Sequence, residues 1–120
     1  VILAVPYTQR RDLGLIASAI HVYAAGWRPV VLGAGVPAEE VAESARNIDA
    51  GAVVFGVVTP RYETAVLDEL GLAYRALHRT MPVYFGGRMP ERLQQDIEAI
   101  GLQYLNNMED LRTTLAARSA

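Results

Sequence analysis

Short apolar runs alternate with longer segments of helical periodicity along the whole chain, and this alternation constrains the fold more than any other feature. The third run, AVVFGVV, is apolar throughout, as in a strand that is covered on both faces. The predicted strands are Val1–Val5, Pro29–Gly33, Ala52–Val58, Pro82–Phe85 and Leu102–Leu105. The predicted helices are Asp12–Ala25, a second that starts at Pro37, Tyr62–His78, Pro90–Ile100 and Met108–Ala117.

Alternating strands and helices predict a doubly wound, five-stranded parallel sheet with helices on both faces. The fold class is therefore α/β, of the flavodoxin-like or Rossmann-like type. Helical spacing also predicts which side chains face the sheet. They are Leu13, Ile16, Ala17, Ile20 and Ala24 in the first helix, Val41, Ala45 and Ile48 in the second, and Val66, Leu67, Leu70, Ala73, Tyr74 and Leu77 in the third.

Composition narrows the functional classes. With 120 residues, 52% of them hydrophobic and 20% charged, residues 1–120 suit a single globular domain. A net charge of −2 without a basic tract argues against a nucleic-acid surface. The absence of cysteine excludes disulfides, thiolate nucleophiles and cysteine-ligated metals, and it fits a cytoplasmic location. No membrane span is expected. Because the chain opens on Val1 inside a strand-like run, we expect it to be a piece of a longer protein.

Ligands in such sheets bind beyond the carboxyl ends of the strands, which directs attention to loops 6–11, 33–37, 56–61 and 86–90. In the first loop, Arg10 and Arg11 precede a helix, where cationic side chains and the helix N-terminus both favour an anion. The alternative is two solvated arginines at a helix start. The sequence Gly33-Ala34-Gly35-Val36-Pro37 resembles an incomplete dinucleotide fingerprint, and a turn glycine before a helix is the favoured interpretation.

The Gly86-Gly87 pair leaves two interpretations open. Glycines at the sheet edge would let a flat ligand or a nucleotide-like tail lie against the backbone, or they would serve a plain turn with positive φ. No paired carboxylates, metal-ligand spacing or catalytic triad is found, so we predict neither a catalytic residue nor a metal site, and no enzyme. We interpret His21 as a partly buried helix residue and His78 as a residue at the negative end of a helix.

Several of these segments together resemble the cobalamin (B12)-binding domain, in the version that is fused to MerR-type transcription regulators and photoreceptors. The resemblance covers nearly the whole chain. It rests on Leu13-Gly14-Leu15, Gly26-Trp27, Leu32-Gly33 followed by Val36-Pro37, and Gly86-Gly87.

The chain departs from that family's pattern at the cobalt ligand. The family motif Asp-x-His-x-x-Gly, aligned on Gly14, places its acid at Gln9 and its histidine at Arg11. A guanidinium has no lone pair to donate, so a histidine-ligated corrinoid cannot form here. The motif after the third strand falls on Gly56 and Val58, so its serine is absent.

The resemblance implies a sensory or regulatory domain of a MerR-like transcription regulator that binds a corrinoid without a histidine, or a different small ligand such as an anion. The alternatives are a corrinoid carrier domain of a methyltransferase or mutase, and a ligand-free dimerisation or interaction module. DNA would be bound only by an upstream helix-turn-helix, and the full protein would be a homo-oligomer. By alignment, the corrinoid-binding residues are Gln9, Arg11, Gly14, Ser18, Gly56, Gly86 and Gly87.

Overall fold

Five strands and five helices alternate along the protein. The computed structural model describes residues 1–6, 13–57 and 63–119. The elements are β1 (Ile2–Pro6), α1 (Leu13–Ala24), β2 (Val30–Val36), α2 (Ala38–Asn47), β3 (Val53–Gly56), α3 (Glu63–Leu77), β4 (Val83–Gly86), α4 (Glu91–Ile100), β5 (Gln103–Leu105) and α5 (Met108–Ser119).

The strands form one parallel sheet in the order β2-β1-β3-β4-β5. This is the strand order of the flavodoxin-like doubly wound fold. The predicted fold class is therefore confirmed, and each predicted strand overlaps an observed one. A parallel sheet of this kind needs helices on both faces, because its strands are apolar on both sides.

Two hydrophobic cores lie on opposite faces of the sheet. Strand alternation sends Ile2 and Ala4 of β1 into the core beneath α2, α3 and α4, while Leu3 faces the core beneath α1 and α5. In β4, Phe85 faces the first core and Tyr84 the second. The helices are thus divided into a three-helix layer and a two-helix layer.

The inward face predicted for α1 is partly wrong. Ile20 is 65% exposed and Ala24 is exposed, whereas Ser18, Val22 and Ala25 are buried. Apolar residues surround this helix on all sides, so their spacing does not select one face. Ala17 is half-buried. The side chains of residues 13 and 16 lie outside the described part of the chain.

The other two predicted faces are largely confirmed. Val41 and Ala45 of α2 are buried, but Ile48 is 48% exposed because it follows the helix as its C-cap. Along α3 the prediction holds at four buried positions, and two half-buried side chains pack against the same core. The buried four are Val66, Leu70, Ala73 and Leu77, and the half-buried two are Leu67 and Tyr74.

Strand β2 is longer and less regular than predicted. It continues to Val36, so Gly33-Ala34-Gly35 is strand and the turn-glycine interpretation is wrong. Its pairing with β1 shifts register twice, between Leu3 and Ala4 and between Ala4 and Pro6. Extra residues on one strand of a pair make bulges, and Gly35 adopts a positive φ of 72° there. The glycines that were predicted to form a turn therefore lie in a bulged strand.

Helix α2 is capped by a side chain from α3. Its N-cap, Pro37, makes no side-chain cap hydrogen bond. Instead the Ala38 backbone N–H donates to the Glu69 carboxylate at 2.9 Å. A carboxylate at this position satisfies one of the free N–H groups and complements the helix dipole. Glu69 therefore ties the two helices together.

Candidate ligand-binding site

The carboxyl ends of the parallel strands meet at one edge of the sheet, where Pro6, Gly56, Gly86 and Leu105 end β1, β3, β4 and β5. Two loops at this edge, 7–12 and 58–62, lie outside the described residues. The predicted positions Gln9 and Arg11 fall in the first of them, and they stay predictions. Gly14 lies in the first turn of α1.

A side-chain-free strip crosses β3 and β4 at this edge. Gly56 and Gly86 are aligned in register, two residues beyond the aligned pair Val54 and Tyr84. Since Val54 and Tyr84 face the core beneath α1 and α5, the alternation of a strand places the glycine positions on that same face. Two predicted site residues are thereby brought together as a floor without side chains.

The backbone conformation and the packing at position 87 both require glycine. Its φ is 124°, and a Cβ there would collide with the Val57 carbonyl oxygen. The Val57 N–H donates to the Gly86 carbonyl at 2.8 Å, which holds the two chain segments together. A Cβ on Gly86 would lie 3.1 Å from the Leu105 carbonyl oxygen. The turn therefore needs glycine at position 87 with or without a ligand, and a ligand contact there stays a prediction.

The boundary between α1 and α5, here called the α1–α5 seam, runs above this floor. Helix α1 contacts β1 and β2, and α5 contacts β5, so the seam lies over β3 and β4. Ser18 is buried, and its Oγ lies 3.6 Å from the Met108 sulfur across the seam. Because both helices run away from the carboxyl edge, this contact lies nearer the glycine floor than the contacts of Arg112 with His21 and of Trp27 with Leu115 do.

The far end of the seam is held by stronger contacts. The Trp27 indole N–H donates to the Leu115 carbonyl at 2.8 Å. Between the two ends, the Arg112 guanidinium lies 3.0 Å from His21 Nδ1. Arginine only donates, so Nδ1 is the acceptor in this contact. His21 is half-buried, as predicted.

Tyr84 is a polar group that the sequence reasoning missed. It is 2% exposed and belongs to the core beneath α1 and α5. Its hydroxyl forms no hydrogen bond with any residue in the described part of the chain. Buried tyrosine hydroxyls usually have a partner, and among the described residues this one has none. The only sequence signal was a tyrosine inside an otherwise apolar strand.

Within residues 1–6, 13–57 and 63–119, no group of three or more His, Cys, Asp or Glu side chains is arranged to hold a metal ion. The helices in those ranges are too short or too polar to span a bilayer.

The strand order defines a flavodoxin-like α/β domain. The glycine floor and the α1–α5 seam place its candidate site at the carboxyl edge of the sheet. Two solved structures share this fold. A cobalamin-binding protein from Desulfitobacterium hafniense superposes with a TM-score of 0.79 at 20% identity, over 99% of this chain and 58% of that chain. The monomethylamine corrinoid protein of Methanosarcina barkeri gives 0.71 at 22% identity, over 98% and 57%.

One curated protein is also similar in sequence. The HTH-type transcriptional repressor CarA of Myxococcus xanthus is 29% identical over 110 residues, which is 92% of this chain. The chain spans 38% of that repressor's length. No family model matches the chain. The resemblance to the cobalamin-binding domain, found first in the sequence, is confirmed by these similarities.

Proposed function

We propose that this chain is a sensory domain of a MerR-like transcription regulator that binds a corrinoid without a histidine beneath the cobalt. The observation that carries the proposal is the glycine floor of Gly56 and Gly86 under the α1–α5 seam. Tyr84 is buried on the same face of the sheet, and its hydroxyl has no hydrogen-bond partner among the described residues. Similarity to a helix-turn-helix repressor supports the regulatory part. DNA binding would belong to a different part of the full protein.

The described residues fit the nucleotide tail of a corrinoid. Gly56 and Gly86 would let the tail lie against the backbone, and the Ser18 and Tyr84 hydroxyls would supply hydrogen bonds. A bound corrinoid would supply a cobalt centre with an exchangeable upper ligand. The protein's own part is to bind and orient the tail, and no catalytic residue is assigned.

Entry of the tail would occur at the carboxyl edge. A thioether is a weak hydrogen-bond acceptor, and the contact between Ser18 and Met108 is 3.6 Å long. The contact between Trp27 and Leu115 at the other end is a short N–H···O bond of 2.8 Å. The contact between Ser18 and Met108 is therefore the weaker of the two, and we expect the tail to enter at this end of the seam.

Arg11 favours a sensory domain over a corrinoid carrier domain. The position that the resemblance assigns to the lower cobalt ligand carries a guanidinium, which cannot donate a lone pair. A carrier domain for methyl transfer or mutase chemistry is consequently the second choice. A sensor needs only that binding changes the protein's shape or assembly.

The first test is a titration with hydroxocobalamin and adenosylcobalamin, followed by visible absorption and calorimetry. We expect a complex whose spectrum lacks histidine ligation, and Arg11→His should shift that spectrum. No binding at high micromolar cobalamin would contradict the proposal. The better hypothesis would then be that the domain binds an anionic ligand at Arg10 and Arg11, or that it is an interaction module without a ligand.

A second test uses the Tyr84 hydroxyl. Tyr84→Phe removes only the oxygen, so we expect cobalamin affinity to fall about threefold to tenfold, the value of one hydrogen bond. Stability should stay the same or rise, because the hydroxyl has no partner among the described residues. Tyr104→Phe is the matched control, since that half-buried ring packs on the opposite face. Unchanged cobalamin affinity in Tyr84→Phe would remove Tyr84 from the site.

A further inference from the structure

A shallow depression lies between α3 and α4, on the face of the sheet opposite the α1–α5 seam. Its lining includes Asp68, Gly71, Leu72 and Arg75 from α3, and Asp96 and Ile100 from α4. Leu72 is 47% exposed and Ile100 is half-buried. An apolar centre with charged groups of both signs around it is the usual anatomy of a protein–protein interface.

Gly71 has no explanation inside the chain. Glycine in the middle of a helix weakens that helix relative to alanine. A Cβ at this position would meet only the tip of the Arg75 guanidinium, at 3.5 Å, and Gly71 is not among the glycines with positive φ. Neither packing nor backbone conformation therefore requires glycine here. Gly71 is buried, and the Arg75 guanidinium lies nearest to its Cβ position, so another surface could approach this backbone only where Arg75 turns outward.

The charges on α3 are arranged symmetrically about this glycine. Asp68 and Arg75 are seven residues apart, about 10 Å along the same face of the helix, which is too far for a mutual ion pair. Neither has an ion-pair partner among the described residues. The midpoint between them falls between Gly71 and Leu72. A second α3, running antiparallel across a two-fold axis at that level, would place its Arg75 opposite Asp68 and its Leu72 opposite Gly71.

We propose that this face is a homodimer interface in which α3 packs antiparallel against α3 of a second copy. A two-fold interface uses the same patch on both subunits, so the patch must complement itself. The two pairs of Asp68 with Arg75 of the second copy meet that requirement. Where Arg75 turns toward Asp68 of the second copy, Leu72 of that copy would pack over Gly71, and Ile100 would extend the apolar centre.

The first experiment is sedimentation equilibrium of the chain over a range of concentrations. We expect association of the 13.1 kDa chain into a dimer of twice that mass. Asp68→Arg or Arg75→Asp should each raise the dimer dissociation constant about tenfold or more, because each converts both ion pairs into like-charge pairs. Glu43→Arg, an exposed charge reversal on α2, is the control and should leave the dissociation constant unchanged.

Mixing the two single variants gives the sharper test. In a mixed dimer, the arginine introduced by Asp68→Arg faces the aspartate introduced by Arg75→Asp, and the native Arg75 faces the native Asp68. We therefore expect a one-to-one heterodimer from two variants that associate weakly alone. The double variant Asp68→Arg with Arg75→Asp should regain the wild-type dissociation constant.

Either of two results would overturn the proposal. One is a wild-type chain that stays monomeric to about millimolar concentration, and the other is a dimer that neither charge reversal weakens. Circular dichroism of each variant checks that the fold is intact, as expected for exposed positions. Since the depression lies opposite the seam, Asp68→Arg should bind cobalamin as the wild type does, so the two proposals stand or fall separately.

Discussion

The positive-φ glycines differ in how much space surrounds them, and that difference sets what a methyl group would do at each. Gly87 has no room for a Cβ, because the Val57 carbonyl oxygen occupies the place. Gly26, with a φ of 91°, has nothing within 4 Å of its Cβ position. Backbone strain acts at both positions, but steric collision acts only at Gly87.

Substitution by alanine should separate these two effects. We expect Gly26→Ala to lower the free energy of unfolding by about 1–2 kcal/mol, from backbone strain alone. Gly87→Ala should lower it by more than about 3 kcal/mol, because the ends of β3 and β4 must also move apart. Urea unfolding of both variants measures the difference. Equal losses in the free energy of unfolding would mean that the Val57 carbonyl moves aside without an energetic cost.

Because Gly87 is needed for folding, its substitution cannot test ligand binding. Loss of cobalamin affinity in a Gly87 variant would reflect a distorted turn as much as a blocked channel. Tyr84 is the better probe, because its oxygen can be removed without changing the packing of the ring.

At the scale of elements, α1 and α5 are held together most firmly through Trp27. Its indole N–H bonds to the Leu115 carbonyl, and its ring lies over Gly51, where a Cβ would be 2.9 Å from ring atom Cη2. The position therefore combines a partly buried hydrogen bond with close packing.

Trp27→Phe should reduce the free energy of unfolding by about 1–3 kcal/mol, because it leaves the Leu115 carbonyl without this donor and leaves space above Gly51. Tyr23→Phe, at a ring of α1 that is 76% exposed, should change it by less than about 0.5 kcal/mol. Thermal or urea denaturation measures both. A negligible effect of Trp27→Phe would show that the seam is held elsewhere.

The hydrogen bond from the Ala38 N–H to the Glu69 carboxylate predicts how substitutions of Glu69 change stability. Glu69→Ala should cost about 1 kcal/mol of stability, the usual value of a helix N-cap, with the loss shared between α2 and α3. Glu69→Gln keeps an acceptor oxygen and should cost less. Glu43→Ala removes a carboxylate that caps nothing and serves as the control in urea unfolding. An equal loss in Glu43→Ala and Glu69→Ala would contradict the capping role.

The helices also show where sequence periodicity is sufficient. On α3, apolar residues at Val66, Leu70, Ala73 and Leu77 follow one face, so the buried side could be predicted. On α1 the apolar residues lie all round, and contacts with α5 decide the orientation. The Glu69 cap could not be predicted either, because it joins residues 31 positions apart.

At the scale of the whole molecule, the two layers of helices are unequal. Among the described residues, nineteen buried residues form the core beneath α2, α3 and α4, and ten form the core beneath α1 and α5. Local opening costs less where fewer apolar contacts are lost. The smaller layer is also the one that would have to open for a ligand.

Native-state hydrogen exchange should detect this difference. We expect amides in α5 to exchange through an opening of lower free energy than amides in the middle of α3. Cobalamin, if bound, should raise protection in α1 and α5 more than in α3. If amides of α3 and α5 exchanged through openings of the same free energy, the two helix layers would not differ in local stability, and the prediction would be wrong.

The architecture could be predicted because alternating periods of apolar residues fix the order of strands and helices, and that order leaves few topologies. The site could be predicted only in outline. Gly56 and Gly86 lie at recognisable strand ends, but their alignment depends on the register between β3 and β4. The unpaired Tyr84 hydroxyl depends on what surrounds it in space, which no local pattern contains.

The irregular edge strand has a consequence for behaviour at high concentration. Aggregation into fibres requires a flat strand edge onto which another chain can add. At one margin of the sheet the bulges in the pairing of β2 with β1 distort the edge strand, and at the other β5 is only three residues long. Neither margin offers a template for open-ended growth, so a concentrated solution should remain clear and free of amyloid-type dye binding.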